Sequence, residues 1–330
     1  MTTKFTAGLA SRHLFRLAAS LLVCAAPATG VAQVARMEIH SFPSMTLTDQ
    51  QFLSGSKDGR PVVLAGELRL PPAGSDRLPA VVLLHGSGGI NGGVTDWAQD
   101  LNAMGVATFV VDSFTARGIT STINDQNQLG RLAMTMDAYR ALDLLSKHPR
   151  IDPMRIALMG FSRGAQSALY ASLKRFQKMH AVSSQEFAAY LPFYAACGTT
   201  YLEDEDVASK PIRLFHGIAD DYVPVAPCRA YVARLKAAKK DVLLTEYAGA
   251  GHVFDWQGLK KPVKLEKAQR TGQCALAETP GGLIVNAKTK LPFTYADPCV
   301  EFGPTIAYDE KASTQARSDV KDFVSATFKP

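Results

Sequence analysis

The chain of 330 residues is poor in cysteine, with five, and has two tryptophans. No CxxC pair or histidine-rich run is present, so the spacing that marks a metal site is missing and no metal or cofactor is expected. Long apolar runs are scarce as well. Leu17–Ala26 is too short to cross a bilayer, which excludes a stable membrane span on this pattern. Basic runs with interleaved aromatics are absent, and with them the usual footprint of a nucleic-acid partner. The formal charge is +6, but half of that surplus lies in residues 1–32, which carry Lys4, Arg12 and Arg16 and no acidic residue. No internal repeat or low-complexity linker divides the remainder.

What is present begins with that N-terminus. Three basic residues, a short apolar run and the small-residue stretch Pro27–Ala32 have the layout of a secretory signal peptide. Cleavage is expected after Ala32, leaving residues 33–330 as a single domain in the periplasm or outside the cell. Cysteine usage agrees: the mature chain keeps Cys197, Cys228, Cys274 and Cys299, an even number suited to two disulfides in an oxidising compartment.

Short β-rich runs then alternate with helical patterns, which predicts an α/β fold. Strands are expected at Ala35–His40, Val62–Leu70, Ala80–Leu84, Val106–Val111, Arg155–Met159, Tyr190–Tyr194, Ile212–Phe215 and Val242–Tyr247. Val81–Leu84 and Ala107–Val111 are continuously apolar, as in parallel strands covered on both faces. Helices are expected at Gln128–Lys147, Arg163–Phe176, Pro227–Lys239 and Lys311–Phe328. Residues 257–304 read as an irregular insertion holding Cys274 and Cys299.

The chemistry centres on Gly160-Phe161-Ser162-Arg163-Gly164, set between a predicted strand and a helix rich in small residues. A sharp strand-to-helix turn needs glycines and lifts the serine hydroxyl out of the sheet at a helix N-terminus. Ser162 is therefore the expected nucleophile. A serine needs a base, and in this layout a histidine late in the chain supplies it. His252 sits in the glycine-rich Gly249–Phe254 loop after the last strand. His180 lies in a polar stretch, and His216 ends a strand and is expected to pack. The orienting acid is expected after the seventh strand, where Asp220 and Asp221 stand side by side; spacing from Gly217 and Pro224 favours Asp220. The oxyanion donors are expected to be the amides of Arg163 and of Ser87, in His85-Gly86-Ser87-Gly88-Gly89. A phosphate-binding loop would continue with Lys-Ser/Thr, and Ile90-Asn91 follow instead.

Together with Val111–Gly118, these motifs resemble the dienelactone hydrolase family of α/β hydrolases, over about Leu78–Phe328. The resemblance implies an eight-stranded, mostly parallel sheet and cofactor-free hydrolysis of a small-molecule ester or lactone. The family's namesakes use a cysteine nucleophile where this chain has Ser162, so a broader carboxylesterase activity fits better. In that fold Phe114, Arg117 and Tyr222 fall beside strand ends and are expected at the substrate pocket. The same fold implies Cys197–Cys228 and Cys274–Cys299 as the disulfides. Two other readings share the sheet: a peptidase of prolyl-oligopeptidase type and a silent binding protein. The chain has no room for the peptidase's usual extra domain, and its complete set of triad residues argues against silence.

Overall fold

The computed structural model describes residues 1–4, 36–72 and 76–329. Residues 5–32 of the expected leader, and Ala35, lie outside the described residues. Two units are distinguished, Met1–Val31 and Ala32–Pro330, and every element below belongs to the second.

In chain order that unit runs β1 (Arg36–Thr46), α1 (Asp49–Leu53), β2 (Arg60–Leu70), β3 (Leu78–Leu84), α2 (Gly92–Ala103) and β4 (Ala107–Asp112). It continues with α3 (Ala133–Ser146), β5 (Ile151–Phe161), α4 (Arg163–Tyr170), α5 (Lys174–His180), β6 (Tyr190–Phe193) and β7 (Thr199–Thr200). Then come β8 (Ile212–Gly217), α6 (Ala226–Ala237), β9 (Val242–Tyr247), β10 (Val263–Lys264), β11 (Gln269–Arg270) and β12 (Leu276–Glu278). The chain closes with β13 (Ile284–Asn286), β14 (Glu301–Phe302), β15 (Thr305–Ile306) and α7 (Glu310–Thr327).

Eight strands form one sheet in the order β1-β2-β4-β3-β5-β6-β8-β9. The β1–β2 and β2–β4 pairs are antiparallel and the rest are parallel. The apolar runs explain this placement, because successive side chains in a strand face opposite ways. Val81, Leu83, Val110 and Met159 enter one core with Trp97 of α2 and Val320 and Val324 of α7. Val82, Leu84, Phe109, Val111 and Leu158 enter the other with Met136, Tyr139 and Leu142 of α3.

The structure departs from the sequence pattern in several places, including the unexpected short helix α1 and the run of β1 past His40 to Thr46. Helix α2 was not expected, because it opens on Gly92-Gly93, poor helix formers. Asn91 caps it by accepting the Val94 amide at 3.3 Å. A Cβ on Gly92 would meet the Trp256 indole nitrogen at 2.8 Å, so close packing explains the glycine. The expected helix Arg163–Phe176 is broken into α4 and α5 by Ala171–Leu173, where the Ala208 amide donates to Ser172 O at 2.7 Å. Finally, residues 257–304 are not irregular throughout. β12 pairs with β13 and, in parallel, with β7, while β10–β15 and β11–β14 make two further ladders. Both implied disulfides are formed, Cys197–Cys228 and Cys274–Cys299. Among the described residues no helix is long and apolar enough to cross a membrane.

Candidate active site

Strand β5 delivers Ser162 to the carboxyl edge of the sheet, where α4 begins. Ser162 has φ 53° and ψ −112°, a conformation that a non-glycine residue holds only when its surroundings force it. The flanking glycines show what forces it. A Cβ on Gly160 would lie 2.2 Å from the Gly164 carbonyl oxygen, and one on Gly164 would lie 2.4 Å from that of Leu84. Both obstacles are backbone, so neither can move aside.

The loop after β9 brings His252 to this turn, with Nε2 2.9 Å from Ser162 Oγ. On the other side Nδ1 lies 2.7 Å from Asp220 Oδ2. The carboxylate accepts only, so Nδ1 carries the proton and Nε2 is left to accept from the serine hydroxyl. Asp220 is itself fixed, because its Oδ1 accepts the amides of Tyr222 at 2.9 Å and Val223 at 2.7 Å. Burial would raise its carboxyl, but the His252 charge and hydrogen bonds from His216 and His252 outweigh burial and hold it well below the usual carboxylate range. His216 therefore does more than pack: its Nε2 is 2.7 Å from Val223 O and 3.5 Å from Asp220 Oδ2. Asp221 faces elsewhere, accepting the Thr305 amide at 3.0 Å.

The His85–Gly89 loop passes against the serine. A Cβ on Gly86 would sit 3.4 Å from Ser162 Cβ. The Ser87 carbonyl is held back by the Thr122 amide at 2.8 Å. Arg163 contributes the first amide of α4, which has no partner within its helix. His85 is fully buried, with Nδ1 2.8 Å from Gly86 O and the Ser113 amide donating to Nε2 at 3.3 Å. Burial pushes this imidazole below its ordinary value, so it is a neutral strut tying the loop to the end of β4. Gln126 is a second strut: its Nε2 donates to Ser87 Oγ at 3.2 Å, and its Oε1 accepts from Arg163 Nη1 at 3.2 Å. Sequence reasoning missed both struts, since neither role has a local signal.

Two cavities meet at Ser162. One, of about 270 Å³, is mostly apolar and is walled by Phe161, Tyr194, Val253, Trp256, Leu265 and Ile306. The other, of about 80 Å³, is of mixed character and more polar than the first, and Arg131, Arg163 and Arg270 all line it beside Gln166, Thr271 and Tyr295. Arg131 pairs with Asp49 at 3.5 Å and Arg270 with Glu301 at 2.9 Å, while Arg163 Nη1 donates to Gln126 Oε1 at 3.2 Å. Tyr222 and Ser87 line both cavities.

Phe114 and Arg117, expected at the pocket, line neither. Arg117 turns inward, its side chain fully buried, and makes a two-pronged pair with Asp137 at 2.7 and 2.8 Å. Phe114 is buried edge-on to His85, with ring centroids 4.4 Å apart.

One histidine–carboxylate group among the described residues has metal-like proximity: Glu38, His40 and His148, with ligand atoms within 4.8 Å of one another. The Arg150 amide donates to His148 Nδ1 at 3.2 Å, which leaves the proton on Nε2, pointing at Glu38. That arrangement suits a hydrogen-bonded carboxylate better than a bound ion, and none of the three lines the cavities at Ser162.

Comparison with known proteins agrees with the geometry. A curated relative from Bradyrhizobium, named "Probable 2-oxo-3-(5-oxofuran-2-ylidene)propanoate lactonase", is 26% identical over 202 residues, covering 57% of this chain and 80% of the relative. The crystal structure of a dienelactone hydrolase-like promiscuous phosphotriesterase from metagenomic libraries superposes with a TM-score of 0.56. That match covers 89% of this chain and 99% of the other at 17% identity, a likeness of fold. The sequence model of the dienelactone hydrolase family matches residues 65–328. A match of that breadth, running from β2 to the end of α7 and through every loop that meets at Ser162, makes this chain a member of the dienelactone hydrolase family.

Proposed function

We propose that the protein hydrolyses carboxylic esters or lactones through an acyl-enzyme formed on Ser162. The observation that carries this reading is the hydrogen-bonded line Ser162–His252–Asp220 at a strained strand–helix turn. His252 Nε2 takes the hydroxyl proton as Ser162 Oγ attacks the carbonyl carbon, and Asp220 holds the imidazole in the tautomer that can accept it. The amides of Ser87 and Arg163 receive the charge that develops on the carbonyl oxygen, a contribution of about 100–1,000-fold per donor. The imidazolium returns its proton to the leaving alkoxide. Water, activated by the same base, then releases the acid.

The two cavities suggest a bipartite substrate. Three arginines in the lining of the smaller cavity suit a carboxylate, so the preferred substrates are esters or lactones that carry an acid group next to an apolar portion. The name of the Bradyrhizobium relative, a probable 2-oxo-3-(5-oxofuran-2-ylidene)propanoate lactonase, points the same way. Export is part of the proposal, resting on the leader pattern and the two disulfides.

Stopped-flow hydrolysis of p-nitrophenyl butyrate tests the acyl-enzyme. The expected result is a burst approaching one p-nitrophenol per chain, absent from Ser162→Ala. Hydrolysis by Ser162→Ala at the wild-type rate would rule this mechanism out.

A further inference from the structure

The apolar cavity beside Ser162 has a carboxylate in its wall. Asp255 lies three residues after His252, is 1% exposed, and stands among Phe161, Val253 and Ile306. Burying a carboxylate is costly unless its oxygens are satisfied. Here both are, by aromatic donors from two other elements. Trp97 Nε1 of α2 donates to Oδ2 at 2.6 Å, and the Tyr194 hydroxyl, just past β6, donates to Oδ1 at 2.9 Å. Burial pushes the carboxyl above its ordinary value, while these two donors pull it the other way.

Tyr194 connects this carboxylate to the base. Its ring centroid is 4.6 Å from that of His252, with the planes inclined by 61°. It is held at φ 44°, with its amide donating to Phe215 O at 2.8 Å. Val253, the residue after the base, is also in the left-handed region, at φ 63°. Two such residues around one imidazole mark a geometry that the surroundings impose. The other groups facing Asp255 do not neutralise it. Arg317 of α7 donates to the Asp255 main-chain carbonyl at 3.2 Å and pairs its charge with Asp100 of α2. Ser313 Oγ reaches the same carbonyl at 3.3 Å, and Tyr247 of β9 donates to Asp319. Asp220, across the imidazole, is the remaining charge near Tyr194.

We infer that Tyr194 and Asp255 are a second support for His252, separate from Asp220. Asp255 fixes the Tyr194 ring against the imidazole, and its negative charge favours the imidazolium that forms during turnover. Both are positioning residues, and the inference rests on His252 being the base.

The test is steady-state hydrolysis of p-nitrophenyl butyrate across pH by the full chain, by Asp255→Asn, by Tyr194→Phe and by the double variant. Asp255→Asn keeps the shape and an acceptor for Trp97 and removes the charge. Tyr194→Phe removes one hydroxyl and keeps the ring, so it stays informative if the first variant fails to fold. The expected result is a kcat lowered about tenfold, the scale of one pKa step, with KM within about twofold. In the two variants that carry Asp255→Asn the acidic limb of kcat/KM should move to lower pH, because losing a nearby negative charge disfavours the imidazolium. The double variant should lose little more than either single one. Folded variants with lowered thermal stability but unchanged kcat and an unmoved limb would overturn the second support. Fluorophosphonate labelling of the wild type keeps this failure apart from failure of the base assignment: a labelled Ser162 with an unmoved limb rejects only the support, and an unlabelled one rejects both.

Discussion

Ser162, Asp220 and His252 could be found in the sequence because each is announced locally. Glycines flank the serine, and the acid and the histidine each follow a strand that could be recognised. Asp220 and Asp221 were separable only by spacing, and the structure gives the two carboxylates different partners. Asp220→Asn should therefore lower kcat by about 10³–10⁴-fold, and Asp221→Asn by less than about tenfold, as measured by ester hydrolysis of the purified variants. The Asp220 carboxyl also predicts a pH dependence. Its folded value lies below its unfolded one, so the unfolded chain binds the proton first. The stability it contributes is whole above the unfolded carboxylate range, near about 3.9, and is lost as the pH falls toward the folded value. Between about pH 5 and 3 the melting temperature should fall more steeply for the wild type than for Asp220→Asn, in thermal melts at stepped pH. Arg117 shows where residue-level reading stops. It stands at a strand end, as a substrate-binding arginine would, yet Asp137 on α3 draws it inward, and no local pattern links the two positions. Asp137→Ala should cost about 3–5 kcal/mol of stability by stranding a buried charge. Activity per folded molecule should change little, which denaturation and titrated activity together would check.

At the scale of elements, all eight strands of the main sheet were legible: β3, β4 and the end of β5 through nearly unbroken apolar runs buried on both faces, and β1 and β2 through the alternation of strands with one face outward. Helices were less so. Every residue of α4 is buried, so it has no polar stripe to mark its end, and the break before α5 depends on pairing with residues 207–208. The short strands of 257–304 depend on partners far away in sequence, such as β7, and on a disulfide. That insertion reaches the candidate site, because Arg270, Thr271, Cys274 and Tyr295 wall the smaller cavity at Ser162. Replacing Cys274 and Cys299 by serine opens a staple that spans 25 residues, and should cost about 3 kcal/mol on the loop-entropy scale. If the wall is needed to hold a carboxylate, KM should rise for esters that carry an acid group and stay nearly constant for neutral ones. Paired kinetics on the two substrate types would show it.

At the scale of the whole molecule, the fold carries the reacting groups on three separate segments of one rigid sheet edge. β5 presents the serine, the turn after β8 the acid, and the loop after β9 the histidine. The His85–Gly89 loop, held by His85 and Gln126, lies beside the serine and carries the amide proposed for the oxyanion. The strain at Ser162 persists because glycine packing at Gly160 and Gly164 leaves no alternative. Two cavities, one mostly apolar and one lined by three arginines, open on the same serine, which is why selectivity is expected to follow the charge of the substrate as much as its size. All of this depends on Ser162 being an activated nucleophile. The most direct measurement is intact mass after exposure to a fluorophosphonate, on the folded wild type and on Ser162→Ala. One adduct on the wild type and none on the variant is the predicted result. An unmodified wild type, or an equal adduct on both, would contradict the account.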